Sequence, residues 1–466
     1  MAAVSKLRDK GHTGDILCFL FFALTIWAFY PGLMSPDSLA NLTGGRENFI
    51  HDINSPVMSY LWGKLDRLVA GPGLMFVLQN LIFWAAGAIF WRATAPKSFK
   101  LALLLVLPAL LPQILSQLTT VWKDVGLGAC LFLATALIYQ ADRTKSKIAL
   151  LISPVFLFYG YAARLNAFPA VLPIAVWSGF VAARIFEIEK KKFVPVLIGC
   201  GYLIVLSAAV YFVTYKITDG RTVYPAQQIF LYDLAAISAE RNEASFPEYV
   251  LKHETFSLEL VKLRYNIRSV NDLIYADIPN QGDLAVLPLT TDAEEVSALR
   301  RKWFETVWAH PLDYLVHRGK VFAQLTGLTY SVTRPYWDIG FASSPPEFRG
   351  EENFAGKVLT GYFSLFRRPV TQTFAFRGFV WLLLSACFLY QSVKNRLRAD
   401  WEIVFVLSIS GLLFALAYFP TTPSTEFRYL FWSAISSVTA VVWGTYLLSQ
   451  QPDGNFLNRF LLKLRK

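Results

Sequence analysis

Four short polar segments interrupt the apolar runs of this chain, and each carries side chains with a use in chemistry. The first is Ser35-Pro36-Asp37-Ser38, just after an apolar stretch that ends at Pro31-Gly32, and it continues to His51-Asp52-Ile53-Asn54-Ser55-Pro56. A carboxylate in a Pro- and Ser-rich turn beside a membrane can accept a proton from a hydroxyl held at hydrogen-bonding distance. The plainer reading of Asp37 is a helix cap or a solvated loop acid. The second is Trp122-Lys123-Asp124, between two apolar runs with almost no loop around it. Charges confined there lie at the interface or inside the bundle, where they are costly and usually have a role; the alternative is an interfacial ion pair beside a Trp anchor. The third is Tyr161-Ala162-Ala163-Arg164-Leu165-Asn166-Ala167-Phe168-Pro169, whose Arg164 suits a phosphate or a buried carboxylate, or else snorkels to the interface. The fourth is Pro420–Tyr429, with Glu426 and Arg428 just before the last apolar run, where an Arg-Tyr interfacial anchor is the bland reading.

The elements that must position these residues are membrane helices. About 20 apolar residues cross a bilayer, and runs of that kind lie at roughly 15–32, 73–91, 101–121, 126–140, 148–164, 168–184, 194–215, 374–393, 402–419 and 430–448. The sequence therefore predicts an all-α polytopic membrane protein of about ten transmembrane helices. Alternate loops are basic: Lys6/Arg8/Lys10, Arg92/Lys97/Lys100, Arg143/Lys145/Lys147, Arg184 with Lys190–Lys192, Lys394/Arg396/Arg398, and Arg459/Lys463/Arg465/Lys466. The positive-inside bias then puts both termini in the cytoplasm and all four polar segments on the opposite face. Three units are expected: a membrane module over 1–215 with the candidate catalytic loops, a mostly helical external domain over 216–373, and a membrane module with a basic tail over 374–466. Within the middle unit, His310-Pro311-Leu312-Asp313-Tyr314-Leu315-Val316-His317-Arg318 reads as an amphipathic helix along the membrane surface.

Composition agrees. Of 466 residues, 55% are hydrophobic and only 17% charged, against about 25% charged in a soluble domain. The formal charge of +11 lies mainly in short clusters between apolar runs, which suits anionic headgroups better than nucleic acid. Cys18, Cys130, Cys200 and Cys387 each fall in an apolar run without CxxC spacing, so neither a zinc site nor a disulfide framework is indicated. No small-residue cleavage site follows the first apolar run, which reads as an uncleaved helix. Gln79, Asn80, Gln113 and Gln117 are uncharged polar residues in otherwise clean mid-helix regions. The charges gather at one interface, a layout that favours chemistry there over transport through the bundle.

The order of these motifs, Ser35-Pro36-Asp37-Ser38, Asp52 to Pro56, Lys123-Asp124, Arg164-Leu165-Asn166, the 310–318 helix and Arg428-Tyr429, resembles the bacterial GT-C fold glycosyltransferases that use polyprenyl-phosphate sugars. The closest flavour is the group related to the Rgt-like lipopolysaccharide-core enzymes. The likeness extends over about 15–448 as scattered short motifs. It implies Asp37 as general base on the acceptor hydroxyl and Asp124 as the acid that organises the site or, in some members, a divalent cation held with Asp37. It implies Lys123, Arg164 and Arg428 as neutralisers of the lipid phosphate, with Asn166 and Asp52 also contacting substrate. The chain departs from the family pattern in having Pro-Asp-Ser where many members have two adjacent acids, and Asn54-Ser55-Pro56 where His-Pro-Pro is common. The implied function is sugar transfer from a polyprenyl-phosphate donor to a glycan, lipid or protein acceptor at the periplasmic face of a bacterial inner membrane. The absence of a Rossmann glycine fingerprint is consistent with a donor other than a soluble nucleotide sugar. Two alternatives stand beside it. One is an O-antigen-type polymerase or ligase using His310, His317 and Arg318; the other is a flippase or carrier of lipid-linked substrates.

Overall fold

The computed structural model describes residues 2–95, 98–188, 193–275, 285–329, 340–366, 372–396, 398 and 400–450. Lys97, Lys190–Lys192 and the basic tail from Arg459 onward lie outside them. The described residues are helical apart from turns and three isolated β-bridges.

The amino-terminal half holds α1 (Ala2–Phe29), α2 (Pro36–Glu47), α3 (Pro56–Asp66), α4 (Gly73–Thr94), α5 (Phe99–Val106), α6 (Pro112–Leu118), α7 (Lys123–Thr144), α8 (Lys147–Ala163), α9 (Phe168–Ile185) and α10 (Val194–Phe212). α7 is the buried centre, packed on α4, α8, α9 and α21 (Phe431–Ser449), while α20 (Trp401–Thr421) lies against α9, α21 and α19 (Gly378–Lys394). Outer faces are apolar instead of polar, with Phe19 on α1 and Ile204 on α10 exposed, the pattern of helices whose solvent is lipid. Among the described residues, seven helices are long and apolar enough to cross a membrane, or eight with one bent pair; Lys147–Ala163 and Gly378–Lys394 are shorter apolar helices. The chain is thus a membrane-embedded helical protein. All ten expected runs fall on apolar helices, but fewer than ten have full spanning length.

The bent pair corrects the run read as one span over 101–121. α5 with its following 3-10 turn meets α6 at 64°. Pro112 lacks an N–H and disfavours the α region for the residue before it, and Leu111 is accordingly extended at φ −59°, ψ 140°. Side chains hold the bent arm in place. Gln79 Nε2 donates to the Thr120 carbonyl at 2.7 Å, and Asn80 Nδ2 to that of Leu118 at 3.0 Å. Gln113 and Gln117 are fully buried on the same short helix, with no partner for either carboxamide among the described residues.

Between the two membrane parts lie α11 (Ala226–Arg241), α12 (Glu248–Leu251), α13 (Leu258–Arg264), α14 (Asn271–Ile274), α15 (Ala293–Ala309) and α16 (Pro311–Thr326), around a separate core that includes Leu231, Phe246, Leu273, Leu299 and Val321. The later part of the expected domain behaves differently. α17 (Phe354–Ser364) returns to the bundle, where Phe363 stacks on Phe29 and the Tyr362 hydroxyl donates to the Leu110 carbonyl at 3.1 Å. The short α18 (Gln372–Ala375) then leads into α19.

The 310–318 sequence was expected to lie along the membrane surface, but its polar residues turn inward. Asp233 Oδ1 lies 2.7 Å from Arg318 Nε and 3.2 Å from His317 Nε2, its Oδ2 accepts from Trp303 Nε1 at 2.8 Å, and all the charged members are buried. Arg318→Ala would leave the Asp233 carboxylate without its main counter-charge. Such a loss in a buried pair costs about 3–5 kcal/mol, to be read by denaturant unfolding. Burial also holds the His317 imidazole below its ordinary 6.5. The unfolded chain then takes up this proton before the folded one, so His317 lowers stability as pH falls below about 6.5. A pH series of unfolding should show that slope, and His317→Gln should flatten it.

Candidate active site

Each polar segment is delivered to one place by ordinary local rules. Ser35 caps α2: its Oγ accepts from the Ser38 N–H at 3.3 Å while the Ser38 Oγ accepts from the Ser35 N–H at 3.0 Å, with Pro36 in the first turn. This is a capping box. The expected loop is therefore a helix start, and Asp37 sits in the first turn, where the helix dipole favours a negative charge. α2 is pinned to the segment before α7 by three further bonds. Ser38 Oγ donates to the Val121 carbonyl at 2.7 Å, Trp122 Nε1 donates to Ser35 Oγ at 2.6 Å, and the Leu33 N–H donates to the Thr119 carbonyl at 2.9 Å. The bend at Pro112 makes that contact possible. α3 crosses α2 at Gly45 and Gly63, where a Cβ on either would lie 2.2–2.3 Å from the other helix's backbone.

Asp124 occupies the first turn of α7. Arg164 is extended at the end of α8, before a 3-10 turn and Pro169. Arg428 lies in the 3-10 turn Phe427–Leu430 that opens the last membrane helix. The turn before it is fastened to the separate core around Leu231 and Val321: Val270 N–H donates to the Pro423 carbonyl at 2.9 Å, Thr425 N–H to that of Arg268 at 2.8 Å, and Arg318 Nη1 to that of Thr422 at 2.8 Å.

The result is a chain of ion pairs. Arg164 Nε lies 2.5 Å from Asp124 Oδ1, and its Nη2 donates to Oδ2 at 3.1 Å. Arg428 reaches Asp37 Oδ2 with Nη2 at 2.5 Å, Glu426 Oε2 with Nε at 2.5 Å, and Asp124 Oδ2 at 3.9 Å. Side-chain exposure sorts the members by role. Asp124 is 2% exposed and Arg428 7%, whereas Asp37 is 43% exposed. Glu426 is 36% exposed, so a substrate can reach two carboxylates of the cluster, and Asp37 is the more open of them. Arg428 beside Asp37, with a smaller contribution from Lys123, holds its carboxyl down at about 2 despite burial of the surroundings, so it is ionised at neutral pH.

Aromatic faces complete the walls. The Arg164 guanidinium lies 4.4 Å from the Tyr429 ring centre, that of Arg428 lies 5.1 Å from the Trp122 ring, and Tyr418 stacks on Tyr429. These contacts hold the cations without consuming their donors. Tyr275, half-exposed on the external part, lies close enough for Asp37 to raise its hydroxyl, a smaller effect than burial.

The remaining expected residues divide. Lys123 belongs to the cluster electrostatically, facing both Asp37 and Asp124, and its Nζ donates to the Ile53 carbonyl at 3.1 Å. Asn166 approaches the Tyr418 hydroxyl behind Arg164. Asp52 is turned elsewhere: it accepts from the Val223 N–H at 2.9 Å and the Tyr215 hydroxyl at 3.3 Å, tying the first external segment to the chain beyond α10. Sequence reasoning gave no role to Tyr418 or Tyr275, and to Trp122 only that of an interfacial anchor. Their signal, aromatics at interfaces, is shared by many others among 13 Trp, 21 Tyr and 38 Phe.

A divalent cation fits this donor set poorly. Asp37 and Asp124 share Arg428 between them, and no group of three His, Cys, Asp or Glu suited to a metal occurs among the described residues. A guanidinium already supplies the positive charge that a metal would bring. What the arrangement offers is an accessible carboxylate base, Asp37 with Glu426 beside it, next to three cations that can receive an oxyanion. No protein-family description, curated protein or solved structure matches this chain.

Proposed function

We propose that this protein is a membrane glycosyltransferase of GT-C type. It transfers a sugar, with inversion, from a polyprenyl phosphate to a glycan, lipid or protein acceptor at the periplasmic face of a bacterial inner membrane. The observation that carries the reading is the convergence of Arg164 and Arg428 on Asp124, with the exposed Asp37 carboxylate at the end of the same chain of ion pairs.

In this reading the acceptor oxygen attacks the anomeric carbon as its proton passes to Asp37. The bond from that carbon to the phosphate oxygen breaks, and the electron pair leaves with the polyprenyl phosphate. Charge balances within the site. Lys123, Arg164 and Arg428 offset Asp37, Asp124 and Glu426, and the leaving phosphate gains one negative charge as Asp37 loses one. Cations aimed at a developing oxyanion in a low-dielectric interface are worth far more than in water. Lys123 and the two arginines are positioned for that work.

Of the residues the polymerase-like alternative would use, His317 and Arg318 are buried in the Asp233 network, and His310 is half-buried. A carrier needs a hydrated path. Gln79 and Asn80 instead donate to backbone carbonyls of the bent arm.

The test is binding of undecaprenyl phosphate to purified protein, followed by quenching of the intrinsic Trp fluorescence. Binding should weaken about tenfold or more in Arg164→Gln, since one charge-assisted bond contributes about 1.5–3 kcal/mol. Equal affinity in both proteins would remove the phosphate from this cluster.

A further inference from the structure

A second candidate site lies at the opposite, basic end of the bundle. α9 and α20 form the walls of a crevice of about 510 Å³, and the end of α19 borders its mouth. The walls are apolar, with Val176, Phe180, Phe405, Ile409 and Leu413 along them; charge occurs only at the mouth, in Arg396 and Glu402. From Glu402 to Leu413 along α20 the crevice runs roughly 16 Å at the helical rise. That is about half of the ~30 Å hydrocarbon thickness, the depth of one leaflet.

The mouth opens beside a polar cavity of about 430 Å³ that shares Trp177 and Glu402 with the crevice. Its three acids are matched by three cations: Arg184 pairs with Asp142 at 2.8 Å and with Glu402 at 2.9 Å, Lys145 lies 3.9 Å from Asp142, and Arg143 pairs with Asp400. Arg398 lines this cavity and Arg396 the crevice. Both are exposed, and neither has an ion pair among the described residues. The junction therefore carries surplus positive charge above an apolar trough of acyl-chain length.

We propose that this is a binding site for one anionic phospholipid, with an acyl chain in the crevice and the phosphate between Arg396 and Arg398. Free phosphate has no use for the trough. A zwitterionic headgroup brings no net charge to the surplus arginines. A lipid there would join α9, α19 and α20 at the end remote from the ion cluster, a different role from that of any lipid-linked substrate.

Native mass spectrometry of the full chain in detergent reads this directly. Dioleoyl phosphatidylglycerol and dioleoyl phosphatidylcholine are offered at equal concentration, and retained adducts are counted. The wild type should retain the anionic lipid several-fold more. Arg396→Gln/Arg398→Gln, both at exposed positions, should abolish that preference. Ile409→Trp, which fills the trough and leaves the charges in place, should lower retention of phosphatidylglycerol while thermal unfolding reports that the protein is folded. Equal retention of the two lipids by wild type overturns the proposal, as does a preference that survives the double substitution. Retention unchanged by a folded Ile409→Trp protein would assign binding to surface charge alone and overturn it equally.

Discussion

Asp37→Asn is expected to lower sugar transfer by about 10²–10⁴-fold, the range a positioned general base contributes, and to leave folding and donor binding nearly unchanged. The substitution keeps the shape and the side-chain oxygen that faces Arg428, and removes only the capacity to take a proton. Arg428 retains Glu426 at 2.5 Å and Asp124 at 3.9 Å, so its position does not depend on Asp37 alone. Ser35, Pro36 and Ser38 still start α2. The loss should therefore fall on kcat, with KM for the donor altered little.

The second large effect concerns Arg428. Arg428→Gln should cost about 10²–10³-fold in kcat, as loss of one preorganised oxyanion donor does, and should also reshape the pH profile. Arg428 is the main reason the Asp37 carboxyl lies at about 2. Without that cation its value returns toward the ordinary 3.8. The proposed transfer needs Asp37 ionised as its base, so it should be lost as pH falls through this value. In the wild type kcat/KM should stay flat down to pH 4; in Arg428→Gln it should be about halved there. A substitution that merely loosened the fold would reduce activity at every pH and leave the acid limb in place.

The helices were legible because their signal is redundant: any ten or so apolar residues in a run report the same environment. The bend within 101–121 was not read, although Pro108 and Pro112 were in view. Apolar runs score alike whether straight or broken, and only the bonds from Gln79 and Asn80 show which way the arm turns. Asp37, Asp124, Arg164 and Arg428 could be picked out because charges at membrane interfaces are few. Their pairing was another matter, since it depends on α2 docking onto the segment before α7 through Ser38 and Trp122. Asp52 shows the limit of motif order. It lies only a few residues upstream of α3 and still faces Tyr215 and Val223 instead of the cluster. The 310–318 stretch failed as a surface helix because Asp233, more than eighty residues before them, takes up both His317 and Arg318, a long-range match that periodicity does not encode.

The most direct test is a single-turnover assay with purified protein in lipid nanodiscs. Undecaprenyl-phosphate hexoses and pentoses labelled in the sugar serve as donors, and cell-envelope glycans and lipids as acceptors, with release of undecaprenyl phosphate followed over time. Acceptor-dependent release by the wild type, reduced by at least about a hundredfold in Asp37→Asn, is the predicted result. Equal release by the two proteins, or movement of intact donor across the membrane with no bond broken, would contradict a transferase that uses Asp37 as its base.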